Sequence, residues 1–505
     1  MARVSARTVR RVVGGVAVAA VVLAAFGLAS LRPSHFRRQI VAALSEQLDS
    51  DVEIGELNGS IFPSLKLTGT GLVVRHHGRA ELPPLITLQR FSVDASLLEL
   101  LHRPMRIRDV RGEGLTVQIP PRDDRGDDTR RELKSPFVIE HMEATGAQLI
   151  MIPRRADRQP RVFLIHSVSL ESFAFDRQAP FRALLTNPLP KGEIDATGTL
   201  GPWRAIEPGS TPVAGRFILT KADLGTIRGL GGTLDGTGTF EGRLDRIDVL
   251  ADTNTPDFSL DVGGAPVALL ARAQVVVDGT DGDTTLQTVE ASFLDTTVLA
   301  RGTVLGSQND TGRSVTLDVD IAQGRIEDLL ELVISSPEPL MTGDVTMTAK
   351  IELPREPRPV VERLKLQGEF GVSGARFTGG LQSKIRELSH RGRGRNSNDV
   401  AAEVVSGLRG RLVLDEGTAD FSDLTFDVPG ASVRLAGRYA LRSGTLDFRG
   451  TLRLRATVSQ AAGGGIKSAL LKVFDPFFRK PGAGTQLPIH ISGTRREPKF
   501  GLDLF

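Results

Sequence analysis

Between Ser432 and Ala456 apolar and polar residues alternate with a period of two. Val433, Leu435, Tyr439 and Leu441 alternate with Ser432, Arg434, Arg438 and Arg442; beyond a turn, Leu446, Phe448, Leu452 and Leu454 alternate with Asp447, Arg449, Thr451 and Arg453. Successive side chains on a strand point to opposite faces, so the segment predicts a hairpin with one apolar and one charged face. Leu424 and Phe426 repeat the pattern just upstream. The same period runs through "SLKLTGTGLVV", "ITLQRFSVDASLLELL", "MRIRDVRGEGLTVQI" and "RVFLIHSVSLESFAFD", separated by Gly or Pro signals. From Pro190 to Leu353 strand follows strand with hardly a helical period. The pattern predicts a mainly β chain from Val52 onward.

Helical periods are few. Phe36, Ile40, Leu44 and Leu48 form one apolar stripe, and "GRIEDLLELV", "GGLQSKIRELSH" and "GGGIKSALLKVFDPFF" are short helical candidates. Val12 to Leu31 is an uncharged, largely apolar run long enough to cross a bilayer as a helix. A cleaved signal would have a shorter apolar region and an A-x-A-like site, which "AFGLAS" matches poorly, so an uncleaved anchor is expected. Arg3, Arg7, Arg10 and Arg11 favour a cytoplasmic N-terminus, against a weaker opposing set of Arg32, Arg37 and Arg38. No later run is long enough to span, so the rest is expected on the other side of that membrane.

Composition sharpens this picture. Gly 54 beside Trp 1 and Tyr 1 fits many tight turns joining short strands. Net charge is only +3 and the arginines are dispersed along the strands, which argues against a nucleic-acid stripe; stacking platforms would have to come from Phe alone. Cys 0 removes disulfide and thiol chemistry.

Candidate chemistry is thin. His76 and His77 are adjacent, so on a strand they point apart and cannot easily grip one metal ion. Asp278, Asp281 and Asp283 share "VDGTDGDTT", whose spacing is that of a hairpin loop and not of a calcium-binding EF-hand. Gly236 and Gly238 nearly open a dinucleotide fingerprint, but Glu241 takes the third glycine's place and a strand pattern follows. Arg125-Gly126-Asp127 sits in the charged loop Pro120 to Leu133, where Arg and Asp are so common that the adhesion-like tripeptide is coincidence. No G-x-S-x-G, Walker A, H-E-x-x-H or S-x-x-K motif occurs, and nothing singles out two of the 60 acidic residues as a catalytic pair. Neither an enzyme, a metal nor a cofactor is expected.

The open question is what covers the apolar face. Each exposed Leu, Val or Phe forgoes about 1.5–3 kcal/mol, so something must. A second sheet would make a sandwich, the commoner solution; a sheet curled into an open gutter would hold lipid tails instead. Some 30 strands at about 4.8 Å each would extend a single sheet to the order of 140 Å. Period-two alternation serves both.

A family resemblance favours the gutter. "RRQIVAALSEQLDSDVEIGELNGSIFPSLKLTGTGLVV" resembles the opening of the AsmA-like family, with Ile40, Leu44, Leu48, Val52, Ile54, Gly55, Phe62-Pro63 and Gly71-Leu72 in order. "LQSKIRELSHRGRG", "LTFDVPGASVRLAGRYAL", "GGGIKSALLKVFDPFF" and "LPIHISGTRREPKFGLDL" resemble that family's C-terminal domain. The resemblance implies a cytoplasmic tail at 1–11, a transmembrane helix at 12–31, an AsmA-like N-terminal region at 32–190, a Gly-rich β middle at 191–360 and an AsmA-like C-terminal domain at 361–505. It implies a long antiparallel, curled sheet forming an elongated apolar groove, anchored in a bacterial inner membrane with its bulk in the periplasm. The implied work is phospholipid transport between inner and outer membrane and support of outer-membrane assembly. Leu424, Phe426, Val433, Leu435, Tyr439, Leu441, Leu446, Phe448, Leu452 and Leu454 are then the expected groove floor. Phospholipids and the inner membrane are the expected partners, with outer-membrane or other envelope proteins beside them and no nucleic acid. The alternative is a scaffold or chaperone for outer-membrane proteins that pairs through exposed strand edges.

Overall fold

The structure is a computed structural model that describes Val41, Ser45 and most of residues 50–502; the longest stretches outside it are 1–40, 120–134, 153–160, 390–404 and 455–478. The expected membrane span, the charged loop and the helix expected in "GGGIKSALLKVFDPFF" therefore lie outside the described residues. Among the described residues no helix is long and apolar enough to cross a membrane. Val41 and Ser45 are helical, and the Ser45 hydroxyl accepts a hydrogen bond from the Val52 amide at 3.2 Å.

Strands dominate. They are β1 (Ser50–Glu53), β2 (Glu56–Ser60), β3 (Leu65–His76), β4 (Ile86–Ala95), β5 (Met105–Glu113), β6 (Thr116–Ile119), β7 (Phe137–Met151), β8 (Arg161–Phe173), β9 (Ala179–Pro188) and β10 (Lys191–Leu200). Then come β11 (Pro212–Asp223), β12 (Leu230–Gly231), β13 (Thr233–Arg243), β14 (Arg246–Leu260), β15 (Val267–Asp278), β16 (Thr284–Phe293), β17 (Thr296–Leu305), β18 (Ser314–Arg325) and β19 (Met341–Leu353). The last are β20 (Lys365–Phe377), β21 (Ser406–Asp415), β22 (Thr418–Val428), β23 (Ala431–Ala440), β24 (Thr445–Leu454), β25 (Arg479–Lys480), β26 (Gly484–Thr494) and β27 (Pro498–Leu502).

All 27 strands belong to one sheet, laid down almost entirely as an antiparallel meander. The exception corrects the expectation of antiparallel pairing throughout: β7 runs parallel to β5 and β6. Parallel neighbours need a long return connection, and residues 120–136 supply it. β1 and β2 share one edge of β3, β5 and β6 share one edge of β7, and the two-residue β12 and β25 are side pairings on β14 and β26; the sheet thus has 23 rungs. At about 4.8 Å per rung that is roughly 105 Å, shorter than the expected length because rungs are shared and several long segments add no described strand. β9 pairs with β10 and β19 with β20, so the sheet passes positions 190 and 360 without a break. The commoner two-sheet sandwich is not what forms among the described residues.

A meander has two rims, where its turns lie. Rim A carries the turns β13–β14, β15–β16, β17–β18, β19–β20, β21–β22 and β23–β24; rim B carries β11–β13, β14–β15, β16–β17, β18–β19 and β22–β23. Helix α1 (Ile326–Val333), predicted from "GRIEDLLELV", lies on rim B between β18 and β19. Its Ile326 and Leu329 pack on Ile321, Val345 and Val372, on the sheet's apolar face. The buried Asp328 carboxylate accepts from the Asp295 amide at 3.0 Å and the Thr296 hydroxyl at 2.7 Å. The Ala265 amide donates to the Glu331 carbonyl at 2.9 Å, so α1 gathers three successive rim turns over the apolar face. Asp328→Ala strands both donors and is expected to cost about 1–3 kcal/mol of local stability. The check is faster hydrogen exchange in peptides covering the β16–β17 turn and α1.

Candidate functional site

Residues directly opposite each other on neighbouring strands share a face, so the pairing register can be followed across the whole sheet. From Leu57 the partners run through Gly69, Phe91, Gly112, Ala144, Val168, Ala183 and Ala196. They continue through Phe217, Gly238, Ala251, Ala273, Val289, Ala300, Val319 and Ala349. They finish through Gly368, Leu412, Phe421, Gly437, Phe448 and Ile491 to Phe500. One residue from each rung contributes, and every one is Gly, Ala, Val, Leu, Ile or Phe. A parallel row two residues nearer rim A, passing Leu67, Met142, Phe181, Val249, Val275, Leu317 and Leu446, carries one polar atom, the hydroxyl of Tyr439.

The other face is charged and laced with cross-strand ion pairs. Arg182 meets Asp195 at 2.7 Å, Arg272 meets Asp252 at 2.8 Å, Arg411 meets Glu369 at 2.8 Å and Arg438 meets Asp420 at 3.1 Å. The hydrogen bond to Asp252, and then that carboxylate's charge, raise the pKa of Arg272 above its ordinary value. Such exposed pairs add little stability each, but they keep this face in water. A shallow depression of about 640 Å³ there is lined by Arg301, Asp318, Asp320, Lys350, Glu369 and Arg411. Its charges are of mixed sign and Arg411 is already paired, so no ligand chemistry converges on it.

Exposure tells the two faces apart. From β13 to β18 the apolar side chains Val249, Ala251, Ala273, Val275, Leu286, Ala300 and Leu317 are half-buried, while Asp248, Asp252, Arg272, Glu290 and Asp320 behind them are exposed. A flat bare sheet would expose both faces alike; the apolar one is sheltered because it is the inside of the curl. It is also incompletely covered, since a closed core would bury these residues outright. Towards the N-terminal end the face fills with its own side chains, Leu65, Ile107, Phe137, Phe173 and Phe175 among them, with Phe137 and Phe175 edge to face at 5.1 Å. Towards the C-terminal end Val433 and Leu435 are each 5% exposed and Phe448 8%.

That gradient bears on the ten residues expected from the sequence. Val433, Leu435, Phe448 and Leu454 are buried, and Leu424, Phe426, Tyr439, Leu446 and Leu452 pack around them on the same face. Leu441 lies one residue beyond β23, at the start of the turn, where its amide donates to the Gly417 carbonyl at 2.9 Å. Gly444, at φ +68°, completes that turn. The open part of the face is the Ala- and Val-rich middle, which sequence reading passed over. Its signal was present in "RIDVLADTN", but small residues and the outward Leu250, 55% exposed, blur the alternation.

The remaining sequence candidates find structural places. Gly236 and Gly238 stand in β13, between β11 and β14. Asp278 and Asp283 flank the β15–β16 turn, and the Asp283 carboxylate accepts from the Gly306 amide at 2.6 Å; Asp281 and His77 lie outside the described residues. His141 and His166 face Glu171 and Glu193 at 2.8 and 3.3 Å in exposed pairs. Among the described residues no three His, Cys, Asp or Glu side chains gather as a metal site. No family model, curated protein or solved structure matches the chain.

Proposed function

We propose that the curled sheet is an elongated groove carrying phospholipid acyl chains, in an AsmA-like protein anchored in the inner membrane with its bulk in the periplasm. Its work is lipid transport between inner and outer membrane and support of outer-membrane assembly. The observation that carries this reading is the uncharged row running through all 23 rungs and left half-covered along the middle of the sheet. An acyl chain gains about 0.8 kcal/mol for each methylene it withdraws from water, so tails cover such a face spontaneously. Headgroups remain at the wet mouth between the rims, because a charged phosphate in an apolar trough would lose its hydration with nothing to replace it. No bond changes; the protein offers tails a path that avoids water.

The scaffold reading rests on a smaller feature. Among the described residues β27 is an outer strand of five residues, paired on one side with β26, and its Phe500 is half-exposed, so its other edge could accept another strand. The apolar face runs the length of the molecule and weighs more.

The two readings separate at adjacent residues. A photo-crosslinking benzoylphenylalanine is placed in the full chain at Val249, on the sheltered face, or at Leu250, on the outer face, and irradiated in membranes. Phospholipid adducts at Val249 at least tenfold above those at Leu250 are expected by mass spectrometry. Equal or absent adducts in a folded protein would sink the groove and leave the scaffold reading.

A further inference from the structure

Among the described residues, two connectors meet across the groove mouth. The β19–β20 connector, on rim A, contains helix α2 (Val360–Arg363) and is fastened to its own rim by polar contacts. Arg355 donates to the Leu305 carbonyl at 3.0 Å, Glu362 meets Arg442 at 2.7 Å and Arg363 donates to the Pro354 carbonyl at 2.6 Å. Its Val360 side chain reaches Gly229, which lies in the β11–β13 connector on rim B. A Cβ built on Gly229 would fall 2.4 Å from Val360 Cγ2, and Gly229 holds φ at +88°, so the position is shaped for the absence of a side chain. The two connectors join opposite rims, six rungs apart along the sheet. The sheltered face is the apolar one, so the contact passes over the apolar trough.

We propose that Val360 and Gly229 form a clasp that gates lipid movement along the groove. This rests on the lipid reading above. Tails on the floor can pass beneath a clasp at the mouth, but a headgroup riding in that mouth meets it and stops until the rims part. The clasp is built to part: it is held to rim A by an ion pair and an Arg–carbonyl hydrogen bond, whereas Val360 meets rim B through an apolar side chain against a glycine. It divides the groove into an N-terminal part reaching to β11 and a C-terminal part beginning at β20.

The chain contains Cys 0, so Gly229→Cys with Val360→Cys introduces its only thiols. The built Cβ lies 2.6 Å from Val360 Cβ. A disulfide needs about 3.5–4.5 Å, so the connectors must part by about 1 Å to form the lock. Benzoylphenylalanine at Phe217 on β11 reports the N-terminal part and at Leu412 on β21 the C-terminal part; both are half-buried floor positions. The full chain is reconstituted in phosphatidylethanolamine–phosphatidylglycerol vesicles with a trace of headgroup-labelled phospholipid. In the oxidised lock, labelled adducts at Phe217 are expected to persist while those at Leu412 fall at least tenfold, with recovery on reduction. Val360→Gly, which removes the clasp without a thiol or a strained side chain, is expected to speed labelling at Leu412 several-fold. Equal labelling at Leu412 in locked, released and unaltered chains would overturn the clasp alone. No adduct at either position in any form would overturn the lipid groove, and the clasp with it.

Discussion

Ala251→Asp together with Ala300→Asp is expected to strip phospholipid from the middle of the sheet while leaving it folded. Both residues lie on the continuous apolar row, on β14 and β17, and both are half-buried with the open mouth in front of them. A carboxylate there reaches water when the groove is empty, so the cost to the fold is that of placing Asp in a strand, within about 1 kcal/mol per site. With tails in place the same carboxylates are desolvated, at several kcal/mol each. The difference falls on the lipid-bound state, and a loss of at least a hundredfold in bound lipid corresponds to about 2.7 kcal/mol, well inside that penalty. The measurement is phospholipid per chain after detergent-free release, beside circular dichroism and the outward control Leu250→Asp. Undiminished lipid in the double variant would remove the groove reading. Collapse of the fold would show that something absent from the described residues closes the middle of the sheet.

Much of the architecture was legible because period two reports local backbone geometry directly. "GRIEDLLELV" was equally readable, since Glu327 and Asp328 at its start and the apolar spacing of Ile326, Leu329, Leu330 and Val333 act within the segment itself. What alternation could not decide was the covering of the apolar face, because a sandwich strand and a gutter strand carry the same pattern. The parallel placement of β7 was hidden for a similar reason: the strand looks the same whichever way its neighbour runs. The apolar floor was found where its side chains are large, at Leu424 to Leu454, and large side chains are those that fill their own space and pack into a core. Its open stretch is built from Ala251, Ala273, Val289 and Ala300, whose low hydrophobicity makes them inconspicuous in sequence and leaves room above them in the fold. Hydropathy therefore pointed to the apolar face where it packs into a core, and passed over its half-covered middle. The clasp was beyond reach, because Gly229 and Val360 are brought together by the curl of the intervening strands and by no local signal.

Leu435→Asp with Phe448→Asp is expected to behave in the opposite way to the Ala251 and Ala300 pair. Leu435 is 5% exposed, and Phe448 is 8% exposed with its ring 5.7 Å from that of Phe421. Neither site opens to water, so two carboxylates there must stay desolvated or push β22, β23 and β24 apart, a burden of more than about 4 kcal/mol. The sheet is a linear array in which each rung touches chiefly its neighbours, so the damage should stay local. Hydrogen exchange is expected to show peptides from Ala431 to Leu454 losing protection while peptides from Arg246 to Leu305 keep theirs. Lipid adducts at Val249 should then persist, because the open middle depends on its own rungs. If instead protection is lost from end to end, the 23 rungs fold as one cooperative unit and a charge anywhere on the floor would report stability before it reported lipid. If the hairpins tolerate both carboxylates, they are open floor after all, and the groove runs on through the C-terminal end of the sheet.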